Sequence, residues 1–122
     1  MARPRNFDET EVIRAAGETF GRLGYFGTSI DDLLEATGLL RGSLYKAFGS
    51  KRNLFVKVLD DALTDNWIKQ AHALDLFIIA LKEMAAEDQE IADLCRERMT
   101  QSKEKTAKIL GERLMQLLDS SD

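Results

Sequence analysis

The sequence predicts an all-α fold in which a three-helix head is followed by a short helical C-terminal part. Apolar residues recur at intervals of three and four along most of the 122-residue chain, which is the spacing of helices that bury one face. The chain has a single proline, and most of its eight glycines lie between the apolar-periodic segments. Nearly everything outside the turns can therefore be helical.

The composition is that of a globular protein, with 44% apolar and 31% charged residues, and it argues against disorder. No segment approaches the roughly 20 apolar residues that a membrane span needs, and the N-terminus has no apolar signal-peptide segment. We therefore expect a cytoplasmic protein. The single cysteine, Cys95, has no cysteine partner for a disulfide or a metal site, so a buried apolar thiol is favoured over a redox sensor.

The first predicted helix has a full set of start signals. Asp8 is placed as the N-cap, Glu11 would complete a capping box, and Phe7 and Val12 are spaced as a hydrophobic staple. Gly24 stands where a left-handed C-terminal cap belongs. Between these signals runs one apolar stripe, formed by Ile13, Ala16, Phe20 and Leu23.

A short second helix follows. Thr28 or Ser29 is its expected N-cap, and Asp31 and Asp32 in the first turn favour the helix dipole. Gly38 then supplies a turn before the next helix.

A third helix of about two turns is predicted from near Arg41 to Phe48. Burying Leu44 and Phe48, four residues apart, leaves polar side chains outward, and the absent side chain of Gly42 lets the helix backbone come close to a phosphate or a groove wall. Two short helices around a glycine turn form a helix-turn-helix, whose second helix reads the DNA major groove. A solvated surface helix is the alternative interpretation. The outward residues are Arg41, Ser43 and Lys46.

The start of the fourth helix indicates an anion site. Ser50 is its expected N-cap, yet Lys51 and Arg52 occupy the first turn, where cations oppose the helix dipole. Free backbone N–H groups and Lys51 could converge on a phosphate, or the cations could be there by structural accident. The role of Tyr45 also has two interpretations, because its side chain could pack in the core or its hydroxyl could donate a hydrogen bond to a phosphate.

The net charge of −4 is unevenly distributed. Residues 1–59 carry nine Lys and Arg against seven Asp and Glu, so the negative charge lies in the remainder. Binding to a polyanion depends on whether cations cluster on one face, which overall charge does not report. The cations placed where a DNA-facing surface would need them are Arg3, Arg5, Arg41, Lys46 and Lys51.

The segment Thr-Gly-Leu-Leu-Arg-Gly-Ser-Leu-Tyr-Lys-Ala-Phe-Gly-Ser-Lys, residues 37–51, resembles the turn, recognition helix and following helix start of the TetR family of transcriptional regulators. With its flanks the resemblance covers about 50 residues. It implies that Arg41, Gly42, Ser43 and Lys46 contact bases or backbone in the major groove. It also implies that Tyr45 and Lys51 clamp phosphates, and that Thr28 or Ser29 offers a further phosphate contact.

Two features at the edges of the motif affect this interpretation. Leu40 lies where the family usually has a Ser or Thr cap, and losing such a cap costs about 1 kcal/mol unless Thr37 or bound DNA compensates. Arg3 and Arg5 precede the first helix in a proline-containing arm that could reach a minor groove or a phosphate, or could be a frayed basic terminus.

For the C-terminal half we predict a long linker helix from Ser50 towards Ala73, with Trp67 as a core or interface anchor. Further apolar stripes follow, and the polar stretch from Thr100 to Lys108 either is exposed within the last helix or divides it. The predicted division is a DNA-binding domain at residues 1–50 and a shortened dimerisation and effector domain at residues 51–122. About sixty residues can hardly supply both a dimer interface and a ligand cavity, so dimerisation is favoured and a small-molecule effector is left open.

The resulting expectation is a bacterial DNA-binding regulator, a dimeric repressor that places two recognition helices about 34–36 Å apart on a palindromic operator in the nucleoid. The alternative is a helical interaction protein that sequesters a related regulator without binding DNA. We expect no enzyme, cofactor or metal, because the sequence offers no Ser/His/Asp set, no metal-ligand cluster and no phosphate-cradling glycine loop.

Overall fold

The computed structural model describes residues 7–119, and within that range the chain is helical and contains no strand. The all-α prediction is confirmed. A 3-10 turn at Trp67–Lys69 and a π-helical turn at Ala80–Met84 accompany seven α-helices in this part of the chain. The helices are α1 Glu9–Leu23, α2 Ile30–Thr37, α3 Arg41–Phe48, α4 Lys51–Ala62, α5 Ala71–Ile79, α6 Gln89–Arg98 and α7 Lys103–Asp119.

The chain divides into two compact units, Met1–Asp61 and Ala62–Asp122. Almost all of α4 therefore belongs to the first unit, together with α1, α2 and α3. The sequence-based division at residue 50, which separates α4 from the head, stays a prediction about function.

An aromatic cluster forms part of the core of the first unit. The Phe55 ring of α4 meets the Phe20 ring of α1 edge-on, with 5.0 Å between centroids, and lies 5.2 Å from Tyr25 in the α1–α2 loop. Such edge-to-face pairs add to the stabilisation from apolar burial. This cluster connects α1 and α4 through the loop that precedes α2.

The α1 start differs in one detail from its prediction. Asp8 is the N-cap, and its carboxylate accepts a hydrogen bond from the Thr10 amide at 2.9 Å. Glu11 does not complete a capping box, because its carboxylate pairs with Arg14 instead, at 2.7 Å. An ion pair with a residue one turn later thus replaces the contact with the N-cap, which lies equally far along the chain. Gly24 ends the helix with a positive φ of 82°, but its ψ of 172° lies outside the left-handed helical region that the sequence predicted.

The second helix has the complete cap that the first lacks. Ser29, not Thr28, is the N-cap: its hydroxyl accepts from the Asp32 amide, and the Asp32 carboxylate accepts from the Ser29 amide, both at 2.9 Å. The hydrogen bond that the Ser29 amide donates to the Asp32 carboxylate stabilises the charged form and is the main reason that the pKa of Asp32 is lowered. Gly38 closes the helix in the left-handed conformation, with φ 76°.

The prediction of a continuous helix from Ser50 towards Ala73 is wrong. The helix ends at Ala62, Asn66 adopts a left-handed φ of 63°, and a new helix begins at Ala71. Thr64, Asp65 and Asn66 are residue types whose side chains favour turns, and Asn tolerates this φ. The apolar periodicity continues across the break, which is why the pattern alone concealed it.

Trp67 anchors the second unit. It is buried, its indole N–H donates to the Arg98 carbonyl at 2.8 Å, and its ring stacks on Phe77 with 4.7 Å between centroids. Asp75 of α5 and Arg113 of α7 form a two-point ion pair at 2.7 and 2.9 Å. These contacts hold α5, α6 and α7 together within this unit.

Cys95 lies in the same core. Burial raises the pKa of its thiol to about 11, so the predicted buried apolar thiol is confirmed.

The polar stretch near residue 100 does divide the chain, because α6 ends at Arg98 and α7 begins at Lys103. Within residues 7–119 no helix combines the length and apolarity required to span a membrane.

Candidate nucleic-acid interface

The third helix has one buried and one exposed face, as its spacing predicted. Leu44 and Phe48 are buried, whereas the opposite side presents polar groups to solvent. A Cβ added at Gly42 would meet nothing within 4 Å, so the approach to the backbone there is open. Arg41, Gly42, Tyr45 and Lys46 are exposed and Ser43 is half-buried.

The start of α3 has no side-chain cap. Leu40 occupies the N-cap position with 77% of its surface exposed and supplies no hydrogen bond from its side chain. The Thr37 hydroxyl does not compensate, because it donates to the Leu33 carbonyl at 2.7 Å and accepts from the Leu39 amide at 3.2 Å. Thr37 thus stabilises the turn, while the first amides of α3 have no acceptor from the cap side chain.

Arg41, the first residue of α3, forms an ion pair with Asp31 in the first turn of α2. Both side chains are largely exposed, 54% for Arg41 and 80% for Asp31. The pair connects the two helices of the helix-turn-helix at the end where α3 begins.

Of the two residues predicted to offer a phosphate contact from α2, only Ser29 has an exposed side chain. Thr28 is buried, with 1% of its surface exposed, and its hydroxyl donates a hydrogen bond to the Gly24 carbonyl at 2.6 Å. Its side chain is therefore committed to the α1–α2 loop and is not presented to a ligand.

Lys51 has internal acceptors that the sequence did not indicate. Its ammonium donates to the carbonyl oxygens of Tyr25 at 3.0 Å and Thr28 at 2.9 Å, and it lies 4.3 Å from the centroid of the Tyr25 ring. These carbonyls lie 26 and 23 residues earlier in the chain, which is why local spacing could not reveal them. Lys51 therefore attaches the start of α4 to the α1–α2 loop.

The predicted N-cap of α4 is confirmed, since the Ser50 hydroxyl accepts from the Asn53 amide at 3.0 Å.

The helix starts also differ in charge, as the sequence predicted. α1 and α2 each have two acids in the first turn, whereas α3 and α4 have none. The amino ends of α3 and α4 thus keep their positive dipole ends uncompensated by carboxylates of their own first turns.

One part of the predicted site falls outside this geometry. Arg3 and Arg5, the predicted DNA-contacting arm, lie outside the described residues. Within residues 7–119 no group of His, Cys, Asp and Glu side chains is arranged to hold a metal ion.

Comparison with known proteins identifies the head. Residues 12–58 match the family profile described as bacterial regulatory proteins, tetR family. This stretch contains α2, α3 and most of α1 and α4, so the resemblance to that family found in the sequence is confirmed for the head.

Curated relatives match the same part of the chain. The HTH-type transcriptional regulator YezE of Bacillus subtilis is 44% identical over 63 residues, which cover 52% of this chain and 32% of that protein. The HTH-type transcriptional repressor ComR of Escherichia coli is 43% identical over 58 residues, 48% of this chain and 28% of ComR. The repressor BdcR of Escherichia coli is 39% identical over 59 residues, 48% of this chain and 30% of BdcR. The chain thus matches about a third or less of the length of these relatives.

Proposed function

We propose that this chain is a sequence-specific DNA-binding transcriptional regulator that inserts α3 into the major groove. The observation that carries the proposal is the two-sided character of α3. Leu44 and Phe48 fix the helix to the head, and the opposite face offers Arg41, Tyr45 and Lys46 to a ligand. The names of the curated relatives, which are HTH-type regulators and repressors, support the same function.

The exposed groups divide by chemistry. Arg41 can pair with a guanine edge through its planar donor fork, while Ser43, Lys46 and the open backbone at Gly42 contact bases or phosphates nearby. The hydroxyls of Tyr45 and Ser29 contact phosphates, which position the helix without reading sequence. We assign Lys51 to holding the α1–α2 loop, because its ammonium already has two backbone acceptors there.

We further propose that the regulator is a homodimeric repressor of a palindromic operator, paired through α7. Four apolar side chains near the end of this helix are exposed, including Met115 at 62% and Leu118 at 72%. Apolar surface concentrated on one segment is typical of protein–protein interfaces. The full set is Leu114, Met115, Leu117 and Leu118.

The length of the second unit favoured a dimer interface over a ligand cavity, yet a cleft of about 430 Å³ in this unit supports a small-molecule effector as well. Its lining is mainly apolar and includes Phe77, Cys95 and Leu110. This volume is within the range of about 300–1,000 Å³ that is usual for ligand sites.

The proposal is tested by selection from a library of random duplexes, followed by sequencing of the bound DNA. Enrichment of one sequence with two inverted half-sites is the expected result. Binding without any enrichment would contradict sequence specificity. If the folded protein binds no DNA even at low salt, the exposed α7 side chains instead favour a helical interaction protein that sequesters a related regulator.

A further inference from the structure

We infer that Asp31 is a specificity-determining residue of the DNA interface, and that it acts by positioning Arg41. The inference rests on the proposed DNA-binding function, since it concerns how the same surface discriminates among sequences. It starts from the ion pair between the Arg41 guanidinium and the Asp31 carboxylate.

The position of Asp31 is unusual for a surface that binds a polyanion. A carboxylate beside the first residue of the recognition helix repels phosphates, and it lowers affinity for every DNA sequence. Starting α2 does not require it either. Ser29 and Asp32 already form a complete capping box, and Asp32 supplies a first-turn acid. Asp31 is thus left with a role outside its own helix.

The geometry of the pair indicates that role. One terminal nitrogen of Arg41, Nη2, donates to Asp31 Oδ1, and among the described residues Arg41 has no other acceptor. A guanidinium has five N–H donors, so the remaining donors can still make the two hydrogen bonds that recognise guanine O6 and N7. A hydrogen bond at one end of the guanidinium restricts the rotamers of the long, exposed Arg41 side chain in the free protein, before DNA binds.

The same contact acts against non-specific binding. An unrestrained arginine at this position could turn towards a phosphate and contribute equally on every sequence. While its charge is paired with Asp31, Arg41 contributes less binding free energy on contact with a phosphate. Its contribution from hydrogen bonds to a guanine edge is retained. Asp31 therefore lowers affinity for random DNA more than affinity for the preferred sequence.

The strength of the ion pair limits how much Asp31 can change the sequence specificity. Exposed ion pairs contribute about 0.2–1 kcal/mol, which corresponds to about 1.4- to 5-fold in an equilibrium constant. Asp31→Asn keeps the shape of the side chain and removes its charge. We expect this variant to lower the ratio of affinities for the selected sequence and for random DNA by about twofold to fivefold.

The experiment measures that ratio by fluorescence anisotropy with a duplex selected by the wild-type protein and with a random duplex, over a series of salt concentrations. Asp31→Asn should bind random DNA more tightly, and its slope of log K against log salt should steepen by about one, because Arg41 gains a phosphate contact. In the Arg41→Ala background the Asp31→Asn change should leave the ratio unaltered.

Glu35→Gln is the matched control, since it removes the same charge from the exposed surface of α2 one turn later. Glu35 has no ion pair among the described residues. It should change affinities for both duplexes in parallel, through its charge alone. An Asp31→Asn variant that behaves like Glu35→Gln, or that lowers the ratio equally without Arg41, would overturn the inference and leave the proposed function intact. Absence of DNA binding by the folded wild type would overturn both.

Discussion

The ammonium of Lys51 lies 4.3 Å from the centroid of the Tyr25 ring and donates to the Tyr25 carbonyl oxygen at 3.0 Å. A lysine at the start of α4 therefore stabilises the loop between α1 and α2, and Tyr25 in turn packs on Phe55 of α4. The loop and the start of the helix are thus joined by contacts of the Lys51 ammonium and by the contact between the Tyr25 and Phe55 rings. Because Thr28 directly precedes Ser29, the N-cap of α2, this arrangement stabilises the segment that leads into α2.

Lys51→Ala should destabilise the protein. It removes charge-assisted hydrogen bonds to two carbonyls, and since Lys51 is half-buried we expect a loss of about 1–3 kcal/mol in the free energy of unfolding. Urea titration followed by circular dichroism measures it. Lys46→Ala, which removes an exposed lysine from α3, should leave stability nearly unchanged. Unaltered stability of Lys51→Ala with weaker DNA binding would instead assign Lys51 to a phosphate.

Leu40→Ser should stabilise α3. The substitution supplies the hydroxyl acceptor that the N-cap lacks, which is worth about 1 kcal/mol. Leu40→Ala is the control, because it removes the exposed apolar surface without adding a cap. The urea midpoint of Leu40→Ser should exceed that of Leu40→Ala, and equal midpoints would show that another group satisfies the first amides of α3.

Tyr45→Phe should weaken binding to all DNA sequences alike. It removes only the hydroxyl proposed to contact a phosphate, and hydrogen bonds to charged groups are worth about 1.5–3 kcal/mol, or roughly tenfold or more in affinity. The ratio between selected and random duplexes should stay the same in anisotropy titrations. A change in that ratio would place Tyr45 at a base edge.

Low pH should reduce the stability of the protein at the start of α2, because the Asp32 carboxylate becomes protonated. Because hydrogen bonds to Ser29 lower the folded-state pKa of Asp32 below its ordinary value of 3.8, its contribution is fully present above that value. The contribution is lost as pH falls through the lowered pKa. Thermal melts of the wild type and Asp32→Asn should therefore differ at neutral pH and converge in strong acid. A difference that persists in acid would contradict the assignment.

The apolar end of α7 should control association. Replacing Leu114 and Leu118 together with Gln should shift the protein from dimer to monomer in sedimentation equilibrium, because both side chains are exposed on the same side of the helix. Glu112→Gln, on the exposed surface of α7, is the control and should leave the dimer intact. A wild type that is monomeric at all concentrations would contradict the proposed interface.

Most features governed by neighbouring residues could be predicted from the sequence, although the capping box expected at Glu11 does not form. The Ser50 cap, the Gly38 turn and the alternation of buried and exposed positions along α3 depend on spacings of at most four residues. Contacts between elements could not be predicted. The acceptors of Lys51 and the partner of Arg41 are set by how the helices pack, and at Asn66 a turn interrupts a periodicity that itself continues.

The proposed function depends on binding of DNA by the exposed face of α3. Its most direct test is the affinity of the protein for a random-sequence duplex at several salt concentrations, with Lys46→Ala compared with Lys82→Ala, which removes an exposed lysine from the second unit. We predict affinity that falls steeply with salt, a slope reduced by about one in Lys46→Ala, and no change in Lys82→Ala. Equal behaviour of the two variants, or no binding by the folded protein at low salt, would show that this face of α3 does not bind DNA.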